Sequence, residues 1–305
     1  MEELAPWSVA DGWTTAQTEK WRQLARTWNE APAPASPSDD DLERFVALAE
    51  RYVRADGAIA LMGCTPSLRR ALSRSRRLSG ARLYCVDFSA DMWAATTALV
   101  EEPHPGERFV QRAWQELASA LPEPVDVVLG DKTLDNVEFA RWPETFAAVH
   151  EALRPGGHLI VHVGLVVRDP VPLDVGAVVG RWAARVRAGE VVTDTAAAGA
   201  WEDLLTGSIR GEDVADPYKL TIAGFGDELR AIAERADPGS AEARVLARLR
   251  ELFGSSLQDS WTAFTLEELL RAAGERFLPR AAYWSTDYDV APLQPIVDLE
   301  ARPGP

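Results

Sequence analysis

Two acids and a histidine, each at or near the end of a short apolar run, are the residues of this chain best suited to chemistry. Asp87 closes Ala81-Arg-Leu-Tyr-Cys-Val-Asp87, Asp131 closes Val125-Asp-Val-Val-Leu-Gly-Asp131, and His162 lies near the end of His158-Leu-Ile-Val-His-Val163. A further run, Ala58-Ile-Ala-Leu-Met62, stops at Gly63, and Asp87 follows it by 24 positions. Glycine at a strand's carboxyl end lets backbone approach a ligand, and an acid ending the next strand is placed to accept hydrogen bonds from ribose hydroxyls. That spacing is the layout of a nucleotide-cofactor site. A histidine, with a reference pKa near about 6.5, can take a proton from a hydroxyl or amine nucleophile. His162 alternates with Val161 and Val163, so it points to one face of its sheet.

The elements that must hold these residues follow from periodicity. Ser38-Asp-Asp-Asp41 offers capping oxygens to a helix through Val53, with Leu42, Phe45, Val46, Leu48, Ala49 and Tyr52 at helical spacing. From Ala58 onward strands and helices alternate, which predicts right-handed crossovers and a mostly parallel, doubly wound sheet. The strand signal stops between Pro170 and Ser260. Helical patterns take its place at Val175 to Val186, Ala200 to Leu205, Glu228 to Ala236 and Ala241 to Phe253. A helix over Thr265 to Ala273 and strands at Ala281 to Tyr288 and Ile296 to Leu299 complete the pattern. Trp7, Trp13, Trp21 and Trp28 lie ahead of the stiff break Ala31-Pro-Ala-Pro-Ala-Ser-Pro37, the last three on one helical stripe. The expected division is an N-terminal helical cap and linker (1–37), a cofactor-binding core (38–168), a helical lid (169–260) and a C-terminal completion of the sheet (261–305).

Downstream of Asp87 the order becomes specific: Phe109-Val110, the strand ending at Asp131, an amphipathic stretch from Trp142, then Leu153-Arg-Pro-Gly-Gly-His-Leu-Ile-Val-His162. This order resembles the class I S-adenosylmethionine-dependent methyltransferases, in which an Arg-Pro-Gly-Gly turn joins the fourth helix to the fifth strand. The resemblance covers residues 40 to 165 well and the tail from Phe264 more loosely. It implies a Rossmann-like sheet with an antiparallel last strand, S-adenosylmethionine as cofactor, and methyl transfer to an oxygen or nitrogen of a small molecule in the biosynthesis of a specialised metabolite. It also implies that Gly63, Cys64 and Thr65 lie beside the methionine part of the cofactor and that Asp87 holds the ribose. Phe88, Ser89 and Met92 would border the adenine, and Ala113-Trp114 would follow the third strand, with Trp114 stacked on the base. The first motif departs from the usual one: Leu61, Thr65 and Ser67 stand where an acid and two glycines are common. The Gly-x-Thr-Pro turn and the phrase Gly130-Asp-Lys-Thr-Leu134 are similar to a divergent branch of the family; Asp131, at the end of the fourth strand, is the candidate to replace the lost acid by facing the methionyl ammonium or the reacting centre. Trp13, Trp21, Trp201 and Tyr218 are the candidate substrate contacts, and Asp131 and His162 the candidate catalytic ones. An enzyme of the same fold with non-methylating chemistry, and a non-catalytic binding module, are the alternatives. A nicotinamide dehydrogenase is disfavoured because the turn lacks the glycines that seat a pyrophosphate.

Composition narrows the partners. The chain has 305 residues and a formal net charge of −15, and its 32 basic residues are nearly all arginine. Such a surface repels polyanions, so nucleic acid is not an expected partner. No run approaches the roughly 18 apolar residues of a membrane span, and Met1-Glu-Glu-Leu lacks a basic leader start, so a cytoplasmic protein is expected. The resemblance implies a small-molecule substrate, and a homodimer completes the expected partners. Arg69-Arg70 and Arg74 to Arg77 read as a solvated helix face. Cys64 and Cys85 are too few for a structural zinc site and read as buried thiols.

Overall fold

The computed structural model describes residues 36–166, 174–207, 219–221, 223–253, 260–262, 264–288 and 290–303, with residue 33. Trp7, Trp13, Trp21, Trp28 and Tyr218 lie outside them.

Helix α1, Asp39–Tyr52, begins where the sequence places capping oxygens. The Ser38 hydroxyl accepts from Asp41 N, the Asp41 carboxylate accepts from Ser38 N, and three acids face the positive end of the helix dipole. Strand β1 (Ala58–Met62), α2 (Pro66–Arg74), β2 (Arg82–Asp87), α3 (Ala90–Thr97) and β3 (Glu107–Gln111) follow. A 3₁₀ turn at Trp114–Glu116 leads through α4 (Leu117–Ala120) to β4 (Val125–Asp131), and α5 (Trp142–Ala152) leads to β5 (Leu153–His162). Helix α10 (Leu266–Ala273) precedes β8 (Phe277–Tyr283) and β9 (Ile296–Ala301).

These strands form one seven-stranded sheet in the order β3-β2-β1-β4-β5-β9-β8. The pairings from β3 to β5 are parallel, whereas β9 runs antiparallel to both neighbours. This is the Rossmann-like doubly wound sheet with an antiparallel last strand. Side chains alternate across it. Ile59, Leu61, Leu83, Cys85, Leu129 and Ile160 pack under α1 and α2 against Phe45, Leu48, Leu68 and Leu72. Met62, Val86, Val128 and Val161 face the opposite layer, built on Trp142 and Phe146 of α5 with Phe264 and Leu269. Burying each such aliphatic or aromatic side chain contributes about 1.5–3 kcal/mol, enough in sum to hold the strand ends as a rigid platform.

Helices α6 (Val175–Arg187), α7 (Thr193–Gly207), α8 (Ala223–Arg235) and α9 (Ala241–Phe253) form the helical block between β5 and α10. It has a core of its own, including Val178, Trp182, Trp201, Leu204, Val245 and Leu249. Helices α7 and α8 begin earlier than the sequence pattern suggests. A two-stranded ribbon of β6 (Lys219–Thr221) with β7 (Ser260–Thr262) went unforeseen, because three residues are too few to display alternation.

Two expectations need correction. The strand expected over Ala281 to Tyr288 starts at Phe277 and stops at Tyr283. Beyond it the backbone turns over the start of α1: the Ser285 hydroxyl donates to Asp41 and Thr286 N to Asp40. Arg69, read as part of a solvated face, is 0% exposed. It pairs with Glu107 at 2.6 Å and its guanidinium lies 4.1 Å from the centre of the Trp93 ring, so it joins α2 to β3 and α3. The cysteines are buried and free, as expected, and among the described residues no helix is long and apolar enough to cross a membrane.

Candidate active site

Gly63, Asp87, Asp131 and His162 end four strands on one edge of the sheet, and the structure brings them into two adjoining groups.

The first group surrounds the turn after β1. Gly63 has φ +94°, a conformation that penalises any side chain. Its N–H donates to Val86 O at 2.8 Å, and Trp114 Nε1 donates to the same carbonyl at 2.8 Å. The indole therefore stands beside the glycine: a β-carbon placed there would lie 3.9 Å from Trp114 Cζ2. Asp87 accepts from Ser89 N at 2.8 Å through Oδ1 and is reached by the Cys64 thiol. Burial pushes its carboxyl up to about 6 against those bonds. Asp87 is not the cap of the next helix. Ser89 fills that place, its hydroxyl accepting from the N–H of buried Met92 at 3.1 Å. Phe88 follows Asp87, and its carbonyl accepts from Gln111 Nε2 at 3.2 Å. Ala113 opens the 3₁₀ turn that carries Trp114. At the start of α2 the Ser67 hydroxyl is buried without a partner.

The second group lies at the ends of β4 and β5. Thr65 takes the N-cap position of α2, yet its hydroxyl makes no cap bond; it donates instead to Asp131 Oδ2 at 3.3 Å. Asp131 Oδ1 lies 2.9 Å from His162 Nδ1. A carboxylate accepts only, so Nδ1 carries the proton and Nε2 keeps its lone pair. Nε2 is 3.4 Å from the Tyr288 hydroxyl and 3.9 Å from Asp41 Oδ2. Burial, then the nearby Asp41 carboxylate, hold the Tyr288 phenol far above its ordinary range, so it remains an O–H donor. His162 is 0% exposed.

Lys132, next to Asp131, has φ +53° and is the non-glycine residue in the left-handed region among those described. Holding a side chain there costs about 1–3 kcal/mol, a strain characteristic of functional turns. Its ammonium donates to Gln294 Oε1, and Gln294 Nε2 donates to Glu202 Oε2 of α7 at 2.6 Å. The helical block is thereby fastened to the end of β4. Asp135 Oδ1 accepts from Gly164 N at 2.9 Å. A β-carbon on Gly164 would lie 2.9 Å from that oxygen and 3.2 Å from Lys132 Nζ, and one on Gly130 would lie 2.3 Å from Thr133 Oγ1, so both glycines admit this packing.

Of the sequence-expected residues, Gly63, Cys64, Thr65, Asp87, Phe88, Ser89, Met92, Ala113, Trp114, Gly130, Asp131 and His162 fall in or beside these groups. Trp201 packs inside the core of the helical block; its neighbour Glu202 is the α7 residue bonded to Gln294. Trp13, Trp21 and Tyr218 lie outside the described residues. Asp41, Lys132, Asp135, Glu202, Tyr288 and Gln294 were missed. Among the described residues no group of three His, Cys, Asp or Glu side chains is placed to hold a metal ion.

Residues 62–157 match the family model described as a methyltransferase domain. No curated protein matches the chain. A Rhodobacter sphaeroides structure provisionally described as a Zn-dependent alcohol dehydrogenase is 16% identical with a TM-score of 0.53, over 94% of this chain and 98% of that one. The 1,6-didemethyltoxoflavin-N1-methyltransferase of Burkholderia thailandensis, solved with 1,6-didemethyltoxoflavin and S-adenosylhomocysteine, is 15% identical with a TM-score of 0.49, over 98% and 91%. At 16% identity the first of these speaks for the fold alone, and the methyltransferase description rests on the matched segment, which runs from the end of β1 to the Arg-Pro-Gly-Gly turn. Residues 62–157 are thus a methyltransferase domain by that match, carried on a Rossmann-like sheet.

Proposed function

We propose that this methyltransferase acts on an oxygen or nitrogen nucleophile of a small molecule, in the biosynthesis of a specialised metabolite. The observation that carries the reading is the Asp131–His162 pair at the strand ends, which leaves Nε2 of an inward-facing imidazole able to accept a proton.

The residues present suit the cofactor. Gly63 offers backbone without a side chain, Asp87 an acceptor for sugar hydroxyls, Trp114 an aromatic face, and Ser67 a buried hydroxyl with no partner of its own. When bound, S-adenosylmethionine supplies a methyl group already made electrophilic by its sulfonium. What remains for the chain is positioning, exclusion of water and removal of a proton. Asp131 fixes the imidazole tautomer, and His162 Nε2 receives the proton of the acceptor's O–H or N–H. The helical block, tied through Glu202 and Gln294 to Lys132, keeps water from this edge. The divergent first motif is accommodated because Thr65, where a glycine is usual, uses its hydroxyl on Asp131.

The test is mass spectrometry of the purified protein for retained S-adenosylmethionine or S-adenosylhomocysteine, joined to calorimetry of Asp87→Ala. Losing hydrogen bonds to a charged group costs about 1.5–3 kcal/mol, so the variant is expected to bind S-adenosylhomocysteine about 10- to 100-fold more weakly. Unchanged affinity would remove Asp87 from the site, and a parent that binds neither molecule would remove the reading.

Cofactor affinity is also expected to depend on pH. The Asp87 carboxyl titrates near 6, above its ordinary value of 3.8. Sugar hydroxyls are bound by the ionised form, so affinity is full above about pH 7 and falls as the pH drops through 6, by about tenfold at pH 5. The linkage to stability has the opposite sense: a raised carboxyl favours the protonated fold, so the apo protein loses stability as the pH rises from about 4 to 6. Calorimetry across this range checks the first, and a flat profile contradicts it.

A further inference from the structure

The imidazole of His162 is sealed from solvent, yet a general base has to exchange its proton with something outside. His162 is 0% exposed and Asp41 1%, whereas Tyr288 is partly exposed. On the Nδ1 side the ring meets Asp131 Oδ1 at 2.9 Å, and the other oxygen of that carboxylate is taken by Thr65 Oγ1. On the Nε2 side it meets the Tyr288 hydroxyl at 3.4 Å and Asp41 Oδ2 at 3.9 Å. Nε2 and the Asp41 carboxylate are both acceptors, so neither can serve the other. The phenol, within reach of both, holds the proton between them.

Tyr288 is set there by its own segment. Residues 285 to 288 lie across the first turn of α1: the Ser285 hydroxyl donates to Asp41, Thr286 N to Asp40 Oδ2 at 3.1 Å, and Asp40 N to Asp287 Oδ2 at 3.2 Å. Ala291 N closes the following turn on Tyr288 O at 3.3 Å. Bonds on both sides of Tyr288 thus fix the backbone from which its phenol reaches Nε2. Burial, then the Asp41 carboxylate, keep that phenol protonated, so a proton enters Oη as another leaves and no phenolate forms.

We propose that Tyr288 is the proton relay of this site, standing between the acceptor and His162. This rests on the reading of His162 as the general base of a methyl transfer. The acceptor's O–H or N–H bond breaks as a new O–H bond forms at Oη, and the original Tyr288 O–H bond breaks as an N–H bond forms at Nε2. The electron pair left on the acceptor atom makes the bond to the methyl carbon, and the methyl–sulfur pair returns to sulfur. Tyr288 ends as neutral as it began, and the imidazolium lies between Asp131 and Asp41. His162 thereby works through a neighbour that solvent can touch.

Nuclear magnetic resonance of the full chain carrying isotope-labelled histidine, parent against Tyr288→Phe, decides the matter. The chain has four histidines, and the set of signals lost in His162→Gln identifies those of His162. In the parent, Nδ1 is expected at the shift of a protonated nitrogen and Nε2 at that of a lone-pair nitrogen drawn upfield by a donor. Tyr288→Phe should move Nε2 downfield and leave Nδ1 in place. Exchange of an imidazole N–H with water starts by protonation of the other ring nitrogen, so loss of the relay should slow exchange of the Nδ1 proton by about tenfold or more. A packing role predicts the reverse, because a loosened wall admits water. Unchanged or faster exchange, or an unmoved Nε2, overturns the proposal. Should Tyr288→Phe fail to fold by near-ultraviolet circular dichroism, or exchange run too fast to follow, the Nε2 shift of the parent decides: that of a nitrogen without a donor overturns the proposal, and that of a hydrogen-bonded one upholds it. Neither cofactor nor acceptor is added, so this outcome stays separate from the binding of S-adenosylhomocysteine, on which the methyltransferase reading stands or falls.

Discussion

Replacing His162 with alanine is expected to lower kcat on a methylated acceptor by about 10²- to 10⁴-fold, the usual contribution of a positioned general base. The imidazole is 0% exposed, its Nδ1 is 2.9 Å from Asp131, and its Nε2 faces Tyr288 at 3.4 Å. S-adenosylhomocysteine affinity should stay within a few fold of the parent, because His162 lies apart from the Gly63 turn and Asp87. Added imidazole should restore part of the rate by filling the hole that the side chain leaves. A purely structural role predicts a different set of results: lowered thermal stability, cofactor affinity and rate falling together, and no rescue. Asp131→Asn separates orientation from proton transfer. An amide can donate to Nδ1 and so hold the wrong tautomer, which should cost rate with little change in stability.

The largest stability effect is expected at Trp142. This side chain is 0% exposed, stands edge-on to Phe264 with centroids 4.6 Å apart and to Phe146 at 5.8 Å, and tilts against Phe139 at 4.9 Å. Truncation to alanine removes the transfer energy of the indole and leaves a cavity among three aromatic rings that cannot close it, at about 3–5 kcal/mol. Trp142→Phe should cost far less. Its main loss is the bond from Nε1 to Val137 O at 3.1 Å, and that carbonyl still accepts from Thr262 Oγ1 at 2.6 Å. Chemical denaturation of both variants checks the ordering, and equal losses would mean that the hydrogen bond outweighs the packing.

Much of the group around Gly63 and Asp87 was legible because it is local. Gly63, the turn after it, the strand closing on Asp87 and the cap at Ser89 lie within one strand-helix-strand unit, where spacing in sequence fixes spacing in the fold. The Arg-Pro-Gly-Gly turn gave β5 and hence His162 in the same way. The second group was legible only at Asp131 and His162. Asp41 comes from α1, Glu202 from α7, and Tyr288 and Gln294 from the segment between β8 and β9, so their meeting depends on sheet order, which no periodicity encodes. Asp41 looked like a capping residue and is one, but the same carboxylate also serves the Ser285 hydroxyl. Arg69 misled because composition marks arginine as solvated, whereas Glu107 and the Trp93 ring make its burial tolerable. Lys132 stood inside a phrase already singled out, yet a left-handed lysine has no sequence signature.

The place of β9 has a consequence for how the molecule assembles on the ribosome. It follows β8 in the chain but sits between β5 and β8, so β8 reaches the sheet only through a neighbour that is synthesised after it. Until Ile296–Ala301 has emerged, β5 presents an open edge, His162 lacks the Ile296 backbone across from it, and Gln294 has not arrived to bridge Lys132 and Glu202. The nascent polypeptide therefore completes the group around Asp131 and His162 last, after the Gly63 turn and Asp87 are already in place.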